Sequence, residues 1–90
     1  MKYQIEQSKS FKKSLKKHKR HEEAIFEVIG RLANGETLDT KHKDHALKGS
    51  LKDFRECHIK PDLLLIYQRH DDVLILVCID IGSHSKLFKK

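Results

Sequence analysis

Residues 63–81 read LLLIYQRHDDVLILVCIDI, and this stretch decides the fold. Two apolar runs, Leu63–Tyr67 and Val73–Ile81, flank the polar segment Gln68–Asp72. The second run is rich in β-branched residues. Each is too short for a membrane span and of the length of a buried strand, so the pair predicts an antiparallel hairpin at the centre of a sheet. Gly82 ends the second strand and leaves SHSKLFKK as a short tail. Upstream, Phe54 to Lys60 alternates well enough for a third strand. Pro61-Asp62 interrupts it, because proline donates nothing to a ladder. Residues 36–53 are polar and mixed, which predicts a loop with a short strand around His45–Leu47.

The N-terminal third has a different period. Tyr3 and Ile5 alternate with polar neighbours, as in a short strand. Ser8 or Ser10 then caps a helix over residues 9–20, with Phe11, Leu15 and His18 on one stripe and lysines elsewhere. Ile25, Val28, Ile29 and Leu32 follow at i, i+3, i+4 and i+7, which predicts a second helix. Glu22 and Glu23 suit its first turn, and Asn34-Gly35 its end. Helices followed by strands indicate an α+β chain: a short N-terminal strand and two helices on one face of a small antiparallel sheet.

Ninety residues make one domain, spanning 1–90. Hydrophobic residues amount to 38% of the chain, so the core is modest, and its concentration in 63–81 argues for packing rather than disorder. No stretch is long and apolar enough to cross a membrane, and MKYQIEQSKS lacks the apolar segment of a secretory signal. Two cysteines, Cys57 and Cys78, exclude a disulfide scaffold and a four-cysteine zinc site, and fit a reducing cytoplasm as buried apolar thiols. Tyr67 reads as a core residue with a hydrogen-bonded tip.

Charge and histidine carry the functional signal. The net charge is +6, yet residues 1–20 alone hold seven lysines and Arg20 against Glu6. Localised charge of this kind suits a polyanion or an acidic protein partner. There are seven histidines: His18, His21, His42, His45, His58, His70 and His84. Imidazole both gives and takes protons near neutrality. A basic, histidine-rich chain therefore suits processing of a phosphodiester or binding of a metal. The H-x-x-H spacing of His18 and His21 is a weak metal signal without a further acid or thiol.

The residues KDHALKGSLKDFRECHIKPDLLLIY, Lys43 to Tyr67, and the ending GSHSKLF, Gly82 to Phe88, resemble the YafQ branch of the RelE/ParE superfamily of bacterial toxins. The family pattern runs [KR]-D-H-x-L-x-G, [FY]-R-[ED]-x-H-[IV]-x-P-D, L-x-[IV]-Y and G-[ST]-H-x-x-L-F. This chain matches it in order and spacing. The resemblance implies a RelE-like microbial RNase fold. It also implies the toxin of a type II toxin–antitoxin pair: a ribosome-dependent mRNA endonuclease needing no cofactor or metal and silenced by an acidic cognate antitoxin. His45, His58, Asp62 and His84 match the family's catalytic positions. Arg55 and Phe88 match positions that grip substrate, while Lys12, Lys13, Lys16 and Lys17 of the basic segment suit ribosomal RNA or the antitoxin. Two departures stand out. Asp80 occupies a place that is often basic, and Leu63 one that is often Trp.

The chemistry is coherent without the family. RNA carries its own nucleophile, the 2′-OH. Cleavage needs a base for that proton, an acid for the leaving 5′-oxygen and positive charge for the phosphorane. His84 suits the acid, His58 or Asp62 the base, and Arg55 the phosphate. Strand parity opposes the last assignment: Phe54, Glu56 and His58 share one face, and Arg55, Cys57 and Ile59 the other. Arg55 then pairs an acid such as Asp44 or Asp53 instead, unless a bulge reconciles the faces. Two other readings compete with cleavage. One is a non-catalytic member of the fold that binds RNA or antitoxin, with Asp80 marking lost activity. The other is a ParE-like gyrase inhibitor, which the histidine pattern disfavours.

Overall fold

The computed structural model describes residues 2–49 and 53–88. Residues 50–52 of the expected loop and the last two residues of the tail lie outside the described residues. The chain runs β1 (Gln4–Gln7), α1 (Lys9–Leu15), a 3₁₀ segment (Lys16–His21), α2 (Glu22–Ala33), a 3₁₀ turn (Thr40–His42), β2 (His45–Ala46), β3 (Arg55–Lys60), β4 (Leu63–His70), β5 (Ile75–Gly82) and α3 (His84–Leu87). The sheet order is β1-β5-β4-β3-β2. Strands β2 to β5 pair antiparallel, as expected. The N-terminal strand β1 joins the β5 edge in parallel, a pairing that nothing local in the sequence specifies.

The expected helix over 9–20 is shorter. Ser8 caps α1 by accepting from the Phe11 N–H, but the α-helix ends at Leu15, and His18 has non-helical dihedrals. Lys12–Lys16, Lys13–Lys17 and Lys16–Arg20 are like charges four apart, which destabilise a helix. Beyond Phe11, Ser14 and Leu15 there is too little apolar surface to hold another turn. Helix α2 follows its sequence pattern closely, with Ile25, Val28, Ile29 and Leu32 buried. It ends in paired bonds from the Gly35 N–H to Leu32 O and the Glu36 N–H to Arg31 O, with Gly35 at φ 81°.

These helices cover one face of the sheet. Phe11 and the α2 stripe pack on Cys57, Leu65, Tyr67, Leu76, Cys78 and Ile81. The second apolar run is a strand only from Ile75. Val73 and Leu74 sit exposed in the turn, Leu74 with φ 55°. Leu64 is fully buried but outside the main core. By alternation it lies on the opposite face, paired in register with His58 and Gly82. The expected tail is helical, because Ser83 caps α3 by accepting from the Lys86 N–H. Gly82 lets that helix fold back: a Cβ there would lie 2.9 Å from the Lys86 side chain.

Candidate active site

The two-residue connection Pro61-Asp62 between β3 and β4 puts Asp62 beside the start of α3. Asp62 Oδ1 accepts from the His84 backbone N–H and from His84 Nδ1, both at 3.1 Å. These bonds hold the Asp62 carboxyl below its usual range, the backbone N–H first and the imidazole second. A carboxylate only accepts, so the proton of this bond lies on His84 Nδ1.

His58 lies across from this pair, its ring centroid 5.5 Å from that of His84. His58 Nε2 is 3.3 Å from Oε1 of Glu56, which is 6% exposed and shares the face by strand parity. His45 on β2 approaches the same oxygen at 3.8 Å and remains half exposed. Phe88 stacks obliquely against His84, centroids 6.3 Å apart. Thus His45, His58, Asp62, His84 and Phe88 converge on one open face.

Arg55 does not join them. Its Nε is 3.3 Å from both Asp44 Oδ1 and the Tyr67 hydroxyl, and that hydroxyl donates to Asp44 at 2.6 Å. This is the arrangement that strand alternation anticipates, with Asp44 as the paired acid. Lys12, Lys13, Lys16 and Lys17 are exposed on the basic segment. Lys13 and Lys17 line a second, smaller cleft with Ser14, Asp80 and Lys86. There Asp80 accepts from Ser14 at 2.8 Å, and Lys86 donates to the same Ser14 hydroxyl. Asp80 is therefore tied to α1 and aimed away from the histidine pair.

Glu56 is the residue that sequence reasoning missed. Its signal was present in the strand parity that pairs it with His58. Among the described residues, Glu56, His58 and His84 offer three ligand atoms within 4.8 Å of one another. Two imidazole nitrogens and a carboxylate oxygen suit zinc or copper. The H-x-x-H of His18 and His21 takes no part in this group.

A family described as the bacterial toxin of type II toxin–antitoxin systems, YafQ, matches residues 3–89. The chain belongs to the YafQ toxin family. The mRNA interferase toxin YafQ of Escherichia coli is 34% identical over 86 residues, 96% of this chain and 91% of that protein. The E. coli DinJ–YafQ complex superposes with a TM-score of 0.84 at 34% identity, covering 96% of this chain and 98% of that YafQ chain. A metal-bound toxin from Helicobacter pylori is 48% identical with a TM-score of 0.86, covering 96% of this chain and 99% of its own. As a YafQ family member, the chain is a toxin of the type II toxin–antitoxin class with the fold expected of it.

Proposed function

We propose that this YafQ family toxin is a ribosome-dependent mRNA endonuclease that cleaves by 2′-OH attack. The observation that carries the reading is the pair of imidazoles 5.5 Å apart, each on its own carboxylate. His58, backed by buried Glu56, takes the 2′-proton. His84, oriented by Asp62, protonates the leaving 5′-oxygen. His45 and Phe88 border the site, where they contact the phosphate and a base. The chemistry of this step requires no metal, and its products are a 2′,3′-cyclic phosphate and a 5′-hydroxyl. The E. coli relative is named an mRNA interferase, which supports the same substrate class. The sequestration of Asp80 by Ser14 removes the main reason to favour a non-catalytic binding protein.

The DinJ–YafQ complex supports a cognate antitoxin as partner. The basic segment 9–20 suits an acidic antitoxin segment, and in its absence ribosomal RNA, through phosphate contacts released by salt. The deciding experiment incubates the chain with mRNA-programmed ribosomes in Mg²⁺ buffer, with and without a chelator selective for zinc and copper, beside His84→Ala, and maps the new RNA ends. New 5′-hydroxyl ends from the parent in both conditions support the mechanism. Deleting one general acid should cost about two to four decades in rate. Cleavage unchanged in His84→Ala refutes the assignment of His84, and no cleavage by folded parent protein returns the binding-protein reading.

A further inference from the structure

A basic cleft of about 380 Å³ opens beside the histidine pair, formed by Lys41, His42 and Lys43 on one side and His58, Lys60 and Pro61 on the other. We propose that it is a phosphate subsite that holds the RNA backbone one nucleotide away from the scissile bond. The inference rests on the endonuclease reading and extends it to substrate positioning.

Four observations converge. Every charged side chain lining the cleft is a lysine, and all three lysines are exposed. Among the described residues no acid lines the cleft: Asp39 pairs with Arg31, Asp44 with Arg55 and Tyr67, and Glu56 and Asp62 lie against His58 and His84. The cleft lining is therefore positively charged, as a phosphate requires. Second, His58 belongs to both cleft and catalytic pair, so a strand seated at the pair continues across the lysines. Third, His42 is only 8% exposed, and its Nδ1 donates to the His58 carbonyl at 2.7 Å. No described buried side-chain nitrogen lacks a partner. The other ring nitrogen, Nε2, is therefore not a sealed, unpartnered atom, and His42 lines the cleft; it donates to an anion there in the imidazolium form. The His42 bond also holds the stretch of β3 where the register shifts between His58 and Lys60, a bulge of the kind that re-aims side chains. Fourth, Lys43 ends the 3₁₀ turn as its left-handed cap, at φ 46°, with its N–H bonded to Thr40 O, which fixes where its side chain leaves the backbone beside the cleft.

The test uses the full chain carrying His84→Ala, so that RNA is bound and not cut. A fluorescent hexaribonucleotide, with single neutral methylphosphonates scanned along it, is titrated across salt concentrations. The same is done in Lys41→Gln/Lys60→Gln, whose substitutions fall on exposed side chains. The expected result is a salt slope shallower by about 0.7 for each phosphate no longer neutralised. One methylphosphonate position should also weaken the parent severalfold and leave the variant unaffected. An unchanged slope and scan overturns the subsite, as does a variant that keeps RNA binding but loses binding of fluorescent polyglutamate titrated in parallel, which would make the cleft an acidic-protein surface. An RNA that the parent does not bind overturns it too. The same pair of proteins with His84 restored separates the two readings. RNA held through the cleft but never cut refutes the nuclease alone, whereas cutting with an unchanged salt slope refutes the cleft alone.

Discussion

Replacing Tyr67 by Phe tests whether Arg55 belongs to a structural network or to the substrate. The Tyr67 hydroxyl sits on a side chain 1% exposed, donates to Asp44 at 2.6 Å and accepts from Arg55 at 3.3 Å. A hydrogen bond to a charged acceptor contributes about 1.5–3 kcal/mol net. The Asp44 side chain is 19% exposed and keeps Arg55 after the change, so partial rehydration puts the loss at the lower end, about 1.5–2 kcal/mol. In a domain of this size 1 kcal/mol moves Tm by about 4–8 °C, so Tm should fall by roughly 6–16 °C, with the urea m-value unchanged. Asp44 precedes His45, and β2 is only two residues long, so the network also tethers His45. Cleavage measured well below Tm should nevertheless stay within about tenfold of the parent, because His58, Glu56, His84 and Asp62 are untouched. Urea unfolding followed by circular dichroism gives the first quantity, and 5′-hydroxyl end formation the second. A loss below about 0.5 kcal/mol, within the range of ordinary surface changes, would refute the network. Arg55 would then be free to act on substrate.

Four further outcomes follow from the same geometry. Burial pushes the Cys78 thiol from 9.0 up to about 12 and drives Cys57 and Tyr67 in the same direction. Folded values above unfolded ones mean that the native chain retains protons the unfolded chain releases, so this stability is full below about pH 8.5 and falls as pH rises toward 12. Urea midpoints across that window check it, and Cys78→Ala should flatten the slope. Zinc or copper should inhibit cleavage by occupying Glu56, His58 and His84, with activity restored by a chelator selective for zinc and copper; inhibition unchanged in Glu56→Gln would refute that site. Gly35→Ala should cost about 1–2 kcal/mol, since φ there is 81° and a Cβ would lie 3.1 Å from Lys2, and urea unfolding measures it. Lys43→Gly should leave the fold at least as stable by relieving a left-handed lysine while weakening RNA binding; a loss of more than about 1 kcal/mol would contradict the strain argument.

The central hairpin and α2 were legible because one rule sufficed for each: continuous apolar runs for buried strands, a 3.6-residue stripe for the helix. Local signals failed where the outcome depends on distant partners. Strand β1 reads as a strand, but its parallel seat on β5 is fixed by the Tyr3 N–H bonding Ala33 O and by the Tyr3 hydroxyl bonding Asp71. The basic helix stops short of the end of its apolar stripe because repulsion among its lysines outweighs what His18 alone could bury. Val73 and Leu74 look like strand by composition, yet the turn needs residues and takes them.

The site divides along the same line. The motif brought His45, His58, Asp62, His84 and Phe88 into one group, and the structure places them together. Glu56 needed the face on which His58 points, which parity gives, combined with burial, which parity does not. Asp80 shows the converse. Judged by its position in the chain, an acid just before the G-[ST]-H motif should repel a phosphate at the site. The register shift on β5 between Cys78 and Asp80 and the Ser14 hydroxyl take the carboxylate to α1 instead. There Ser14 also receives Lys86 of α3, the short helix that carries His84. The Ser14 hydroxyl therefore holds the acid and joins the basic segment to the helix that carries His84. Cutting it with Ser14→Ala should loosen α3 and raise hydrogen exchange at the Leu87 and Phe88 amides, which bond to Ser83 and His84 carbonyls. Unchanged exchange there would show that Asp62 alone holds His84 in place.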